Sequence, residues 1–549
     1  MEQIRSRIKI KLLEIAKKSQ IGAGDFSLEQ TQEESFGDYS TNLALILAHK
    51  IKTSPKKVAE DVVQELNGGD YAVSVAEPGF INFRLSGRDL LEKAGEIGVM
   101  KDKYGENKGG EGAKINLEFV SANPTGPLHI GNARGGPLGD VLANVLLKCG
   151  YQVTREYYHN DLGEQVRKLG ESVLYHVKTA RGEKAEFPKG GYEGEYVKEL
   201  VGKMGQCPNS GTAPIPSAFD LGSMAIEYYL KDILDVCLTM GIKFDIVSKE
   251  SAFNTAKVVS LLKKEKVTKE KDGALWFGPK DNFLGDRECV LVKSDGNLTY
   301  FANDIAYHLD KKKRGFDKAI DIWGANHTGH IPRVLAAMTA LGVKNFLEVI
   351  LYQWVSLIRD GREVGMSKRK GNFVTAREVL DEVGKDAFRW FFLDKDVDSH
   401  IKFDIDLAKE RSNKNPVFYV QYAHARMCSV MRKIEGGRLK MEDRCEKVEN
   451  RRLKNTKKPS TFNLKPSERS LLRELIYFPD IVEDISKTYK VQELTNYAMR
   501  IADKFHKFYE TCPIIGDPRE KERLLILNAG KVVLENTLNL LGISAPTSM

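Results

Sequence analysis

A histidine, a side-chain amide and several glycines fall together in SANPTGPLHIGNARGGPLGD, Ser121–Asp140. His129 and Asn132 can donate hydrogen bonds, and Gly126 and Gly131 let a ligand approach the backbone closely. Where such a stretch opens a helix, the free N–H groups and the helix dipole favour phosphate. H-x-G-N alone is a weak signal, and a lone histidine is more often a structural hydrogen-bonder than a catalyst. A second basic stretch, DGREVGMSKRKGNFVTAREVLDEVG (Asp360–Gly384), sets Arg362, Lys368, Arg369 and Lys370 between glycines, ahead of a capped helix beginning near Thr375. Its plain reading is a solvated turn; its functional reading is a mobile loop whose lysine closes over a polyphosphate. Neither stretch has Walker A spacing.

The elements around these loops are those of an α/β protein. KINLEFV (Lys114–Val120) is apolar-rich, as a buried strand should be, and Leu138, Val141, Leu142, Val145 and Leu146 recur at helical spacing up to Gly150. The first loop is therefore a strand-to-helix crossover. Strands and helices alternate to about Asp404, which predicts a parallel sheet. Residues 171–286, polar and broken by Pro and Gly, read as insertions into that sheet domain. Upstream, Tyr39–Ile51 and Ser54–Leu66 read as helices and Val73–Leu85 as strand–turn–strand, a small α+β module closed by the Gly-rich, charged 101–114. After Ile405 strand signals stop and long amphipathic helices predict a C-terminal bundle. The apolar-poor 435–467 reads as a solvated flexible loop.

Composition sets the frame. A chain of 549 residues exceeds what one core supports, so several domains are expected. The net charge of +8 permits nucleic-acid binding without arguing for it. The seven cysteines lack C-x-x-C spacing, which points away from zinc and towards free thiols in a reducing, cytoplasmic setting. Neither a secretory signal nor a membrane span is expected.

The two loops together resemble the HIGH and KMSKS signatures of class I aminoacyl-tRNA synthetases. The longer strings EFVSANPTGPLHIGNARGGPLGD, YFANDIAYHLDKKKRGFDKAIDIWGANHTGH and MSKRKGNFVTAREVLDEVG resemble the arginyl-tRNA synthetases of the bacterial type. So do GDYSTNLALILA and PGFINFRL near the N-terminus, and NPVFYVQYAHAR and LNLLGISAP near the C-terminus. The resemblance implies an N-terminal α+β tRNA-elbow domain over 1–107, a Rossmann-type catalytic domain over 108–404 with a KMSKS-like loop at 365–369, and an all-α anticodon-binding (DALR-type) domain over 405–549. It implies ATP-dependent activation of L-arginine to the adenylate and transfer to the 3′-terminal adenosine of tRNA(Arg), by a cytoplasmic monomer. ATP enters as substrate with Mg²⁺, with no metal held by the protein and no membrane partner. The rival reading is a catalytically silent RNA-binding or regulatory protein on the same scaffold.

By the same resemblance, His129 and Lys368 are catalytic, and Gly131, Asn132, Met366 and Ser367 join them around ATP. Asn132 stands where the class motif has a second histidine. Gly365 stands where it has a first lysine, a charge that Arg369, Lys370 or Arg362 would have to supply, and Arg369 replaces the final serine. For arginine the matching residues are Ser121, Asn123, Asp161, Gln165, Tyr300, Asp304 and His327, with Asp304 expected on the guanidinium and Tyr300 covering it. The alternative for Asp304 is a carboxylate stabilising a helix N-terminus. The family usually has an aspartate at Asn326. For tRNA, Phe80 and Asn82 lie on a strand that could meet the elbow, and Tyr419, Tyr422 and Arg426 form an aromatic–basic helix face with Phe418 and His424. Core packing is an equal alternative for each aromatic alone. The run Lys311–Arg314 reads as a solvated helix end.

Overall fold

The computed structural model describes residues 3–66, 71–203, 215–278, 288–364, 373–445 and 463–549, with side chains left undescribed for 435–445. Its centre is a five-stranded, all-parallel sheet in the spatial order Leu347–Tyr352, Lys318–Gly324, Lys114–Glu118, Gln152–His159, Ile246–Lys249. The chain builds outwards in one direction from Lys114–Glu118, then returns to its other side. The order therefore reverses between that strand and Lys318–Gly324, and ligands of such sheets bind at the carboxyl ends of the strands flanking the reversal. The Ser121–Asn132 loop leaves one of those ends and Gly324–His330 leaves the other.

The strand Ile246–Lys249 corrects the reading of 171–286 as inserted material, because it pairs with Gln152–His159 as the sheet's edge. Its four residues alternate half-buried and exposed, the pattern of an edge strand, and carry too little apolar signal to be seen in sequence. Around it lie a helical unit with its own core, Val166, Leu169, Leu200, Leu221 and Tyr229 among its members, and a small antiparallel sheet of Thr268–Lys271, Ala274–Phe277 and Cys289–Val292.

The N-terminal module has the order Leu28–Gln30, Tyr39–Thr41, Phe80–Leu85, Tyr71–Ala76, all antiparallel. Tyr39–Thr41 is thus a strand where helix was expected, and the helix starts at Leu43. The C-terminal part is helical, as expected. Pro416–Cys445 continues into the segment read as a loop, of which 446–462 lie outside the described residues, and beyond it Pro466–Ile476 and Phe478–Thr488 form two helices that meet at Tyr477, with Pro479 in the first turn of the second. Glu520–Leu541 is, among the described residues, the one helix long and apolar enough to cross a membrane, and most of it is packed in the bundle. Buried polar contacts tie the module to the bundle: Asp38, fully buried, accepts Arg469 Nη2 at 3.0 Å, and the Tyr39 hydroxyl donates to Asp480 at 2.8 Å.

Candidate active site

Beyond Glu118 the chain passes buried Phe119, then turns with Val120 and Ser121 at φ 68° and 37°. Bonds between side chain and backbone hold the turn: Tyr158 N–H donates to Ser121 Oγ at 3.1 Å and the Tyr157 hydroxyl to Ala122 O at 2.5 Å. Asn123 Nδ2 donates to Gln165 Oε1 at 3.2 Å, so two of the expected arginine residues meet. Gly139 in the following helix lies flat on Phe119, where a Cβ would collide with the ring. That close approach accounts for a glycine in an otherwise apolar helix.

His129 caps the short helix Ile130–Ala133, with Gly131 N–H donating to its Nδ1 at 2.9 Å. With Nδ1 accepting, the proton of the neutral ring sits on Nε2, which makes that nitrogen a donor. Ala376 N–H donates to Leu128 O at 2.8 Å, Ile130 N–H to Val374 O at 3.3 Å, and the Phe373 ring lies 5.6 Å from the imidazole. Thr375 opens the next helix through a capping box with Glu378. The far end of the second basic loop is therefore fixed directly against the histidine. Met366, Ser367 and Lys368, with Gly365, Arg369 and Lys370, lie outside the described residues.

Arg134, the basic residue of the first loop, is fully buried and donates to the backbone oxygens of Gln353 (2.7 Å), Ser399 (2.8 Å) and Asp396 (2.9 Å). Burial lowers its pKa to about 10. It anchors the start of the long Gly135–Lys148 helix to segments beyond the sheet.

The opposite wall comes from the helix Tyr300–Lys313. Asp304 lies on its first turns, and its Oδ2 receives His330 Nε2 at 2.5 Å. His327, the histidine singled out in the sequence, is exposed beside Trp323; His330, three residues on, is the one in contact with Asp304. Tyr300 is half exposed at the helix start, with its hydroxyl on the side of Gly163. Asp161 is held by Ser251, through N–H at 2.9 Å and hydroxyl at 2.6 Å. Glu250, 6 % exposed, accepts from Asn303, and burial above all pushes its carboxyl up to about 7, with Asp304 and Asp161 adding to the rise. Sequence reasoning missed Glu250, which stands in no pattern that singles it out, and His330, which ends the GANHTGH string where nothing local ranks it above His327.

The run Lys311–Arg314 is not a solvated helix end. Lys311 is fully buried and its ammonium lies 2.7 Å from Glu118 and 2.8 Å from Asp321, while Arg314 pairs with buried Glu156 at 2.9 Å. Lys312 and Lys313 are the exposed members. Asp304, His308 and Lys311 are spaced i, i+4, i+7, and that single helix face was the available signal.

The expected tRNA residues divide by burial. Phe80 is exposed on its strand, whereas Asn82 is buried within the sheet at 6 % exposure. Tyr422 is exposed, parallel to Phe418 at 6.4 Å and to His506 at 6.0 Å, an open aromatic ladder. Tyr419 donates its hydroxyl to Asp503 at 2.8 Å, and Arg426 lies over the Tyr509 ring and donates to its hydroxyl at 2.8 Å. His424 is buried against Pro546 O.

Three family models match: the arginyl tRNA synthetase N terminal domain over residues 2–85, the class I (R) tRNA synthetase catalytic domain over 223–402, and the DALR anticodon binding domain over 420–549. An arginine–tRNA ligase of Caldanaerobacter subterraneus subsp. tengcongensis is 41 % identical over 540 residues, covering 96 % of this chain and 94 % of that one. Another, from Anoxybacillus flavithermus, is 38 % identical over the whole of both chains. The solved Thermus thermophilus arginyl-tRNA synthetase shares the fold with a TM-score of 0.75 over the full length of both chains, at 20 % identity. With an N-terminal module, a parallel-sheet crevice and a helical bundle each matched in order, the chain belongs to the arginine–tRNA ligase family of class I aminoacyl-tRNA synthetases.

Proposed function

We propose that the protein activates L-arginine with ATP and transfers the arginyl group to the 3′-terminal adenosine of tRNA(Arg), releasing AMP and diphosphate. The observation that supports this reading is that two chemistries lie at the loops leaving the strand ends on either side of the sheet's reversal. On one side are a capped helix start and a histidine whose Nε2 is a donor; on the other is a carboxylate placed for a cation.

In the first step the arginine carboxylate attacks the α-phosphorus of ATP and charge builds on the phosphate oxygens. Positioned donors serve this chemistry, and no nucleophilic side chain is required. His129 Nε2–H and the Asn132 side-chain amide meet the phosphates, while Gly131, whose own N–H holds His129 Nδ1, lets them come close to the helix start. Lys368, with Met366 and Ser367, closes over them, and Arg369, Lys370 or Arg362 supplies the charge that Gly365 lacks. Mg²⁺ arrives with ATP.

Asp304 takes the guanidinium, for which a carboxylate is the matching acceptor, and Tyr300 covers it. Ser121, Asn123 and Gln165 bracket the other end of arginine, and Asp161, fixed by Ser251, borders the same pocket. For tRNA, Tyr422 with Tyr419 and Arg426 offers a stacking ladder for unpaired bases, and Phe80 meets the elbow. A cytoplasmic monomer fits this reading. ATP–pyrophosphate exchange, with and without tRNA(Arg), tests it. Exchange that depends on arginine and is absent with lysine is expected. Absence of exchange even with bound tRNA would instead favour the catalytically silent RNA-binding protein.

A further inference from the structure

Behind the Asp304 wall lies a buried polar cluster that the reaction itself does not use. His308 is 1 % exposed, with Nδ1 2.6 Å from the backbone oxygen of Asp304 and Nε2 2.7 Å from Asp321 Oδ2. Both neighbours are acceptors, and Asp321 is held ionised by the adjacent Lys311 ammonium. Both ring nitrogens therefore carry hydrogen and the ring is an imidazolium. The other Asp321 oxygen receives Lys311, which also reaches Glu118, the last residue of the strand that leads into Ser121 and Asn123.

We propose that His308 and Lys311 are positioning residues: through Asp321 they clamp the Asp304 turn to the end of the Lys114–Glu118 strand, and so fix the separation of the two walls of the arginine pocket.

This inference rests on Asp304 being the guanidinium partner. Buried ion pairs are a poor source of net stability, since well-packed apolar residues do as well. What they do provide is a fixed geometry. A planar guanidinium needs its carboxylate placed to within about 0.5 Å, and a carboxylate on a helix end needs a rigid support to hold that tolerance. Glu118 and Asp321 face His308 and Lys311, and burial, with Asp321 beside it, pushes the Glu118 carboxyl up to about 7. The side chains of Tyr307 and Trp323 complete the cluster's surroundings. Glu118, His308 and Asp321 are close enough to hold a metal ion, but the Lys311 ammonium bonds both carboxylates and both His308 nitrogens are used, so Lys311 takes the place a metal would need.

The test compares His308→Gln with Arg314→Gln in the full-length enzyme, reading arginine KM, ATP KM and kcat in tRNA charging together with the melting midpoint. Gln at 308 can hold one of the two acceptors but not both, and carries no charge. Arg314→Gln breaks the ion pairs to Glu156 and Asp310 made by the residue that follows the helix, and touches neither Asp304 nor Asp321. The expected result is an arginine KM raised about tenfold or more in His308→Gln with ATP KM within about twofold, and an arginine KM within about twofold of wild type in Arg314→Gln. An unchanged arginine KM in His308→Gln, or equal rises for arginine and ATP, or an equal effect of Arg314→Gln, would overturn the proposal. Should His308→Gln not fold, ¹⁵N-histidine NMR of the wild type decides: a His308 signal with both nitrogens protonated at neutral pH supports the clamp, and a neutral ring overturns it. If the wild type charges no arginine, the assigned reaction fails, and the NMR result still stands for the cluster.

Discussion

Asp304→Asn removes one charge from the arginine pocket and almost nothing else. The amide is isosteric, and its oxygen can still accept the His330 hydrogen bond. The side chain of Asp304 is 24 % exposed, so the pairing takes place largely out of water. A hydrogen bond to a charged group contributes about 1.5–3 kcal/mol, roughly twice a neutral one. A guanidinium fork meeting a carboxylate makes two. With asparagine, one becomes neutral and the other meets an N–H₂ that repels it, a loss of about 3 kcal/mol after allowance for the exposed edge. At 1.4 kcal/mol per tenfold, kcat/KM for arginine should fall about a hundredfold. The assay is tRNA charging over a range of arginine, with ATP KM measured in parallel and citrulline as competitor. Citrulline replaces the guanidinium with a neutral ureido group, so the variant should discriminate against it far less than the wild type does. A loss under about threefold, or an equal rise in ATP KM, would refute the role given to Asp304.

Two further predictions concern stability. Arg389, fully buried, donates to Leu541 O (2.7 Å), Met240 O (3.0 Å) and Asp140 (2.7 Å), and Gly542 at φ 66° leaves room for its guanidinium where a Cβ would collide. Arg389→Met takes the donor from both backbone oxygens and leaves Asp140 with only Arg155 at 3.4 Å, and should cost about 3 kcal/mol, read as a melting midpoint lower by several degrees; an unchanged midpoint would contradict it. Glu250, with its carboxyl raised to about 7, holds a proton in the native state that the unfolded chain has released. Its contribution is fully present below about pH 4.5 and is lost as pH rises through about 7, on the order of 2 kcal/mol after discounting solvent screening. Glu250→Gln should therefore flatten the decline of the melting midpoint between pH 5 and 8; parallel profiles for variant and wild type would count against it.

What could be read from the sequence was what local chemistry dictates. The strand before His129, the helix after it and the T-x-x-E start at Thr375 each carry their own signal, and all three form as read. What could not be read depends on partners distant in the chain. Lys311 looks like a solvated charge until Glu118 and Asp321 arrive from other strands. Arg389, set among the apolar DAFRWFF, is legible as a buried ion-pair member only once Asp140 is placed beside it. The choice between His327 and His330 turns on the short 3₁₀ turn Ala325–His327, with His327 exposed beside Trp323 and His330 bonded to Asp304. Ile246–Lys249 becomes a strand because the edge of the sheet accepts it, not because its residues demand it.

The most direct test of the account is the charging of a tRNA(Arg) transcript by the purified protein with ATP and labelled arginine, set against lysine and citrulline at equal concentration. The account predicts arginyl-tRNA as the product, with neither competitor transferred to a measurable extent. Equal charging with lysine would contradict a pocket built around a guanidinium-specific carboxylate, and no charging with any of the three would contradict the assignment of the reaction.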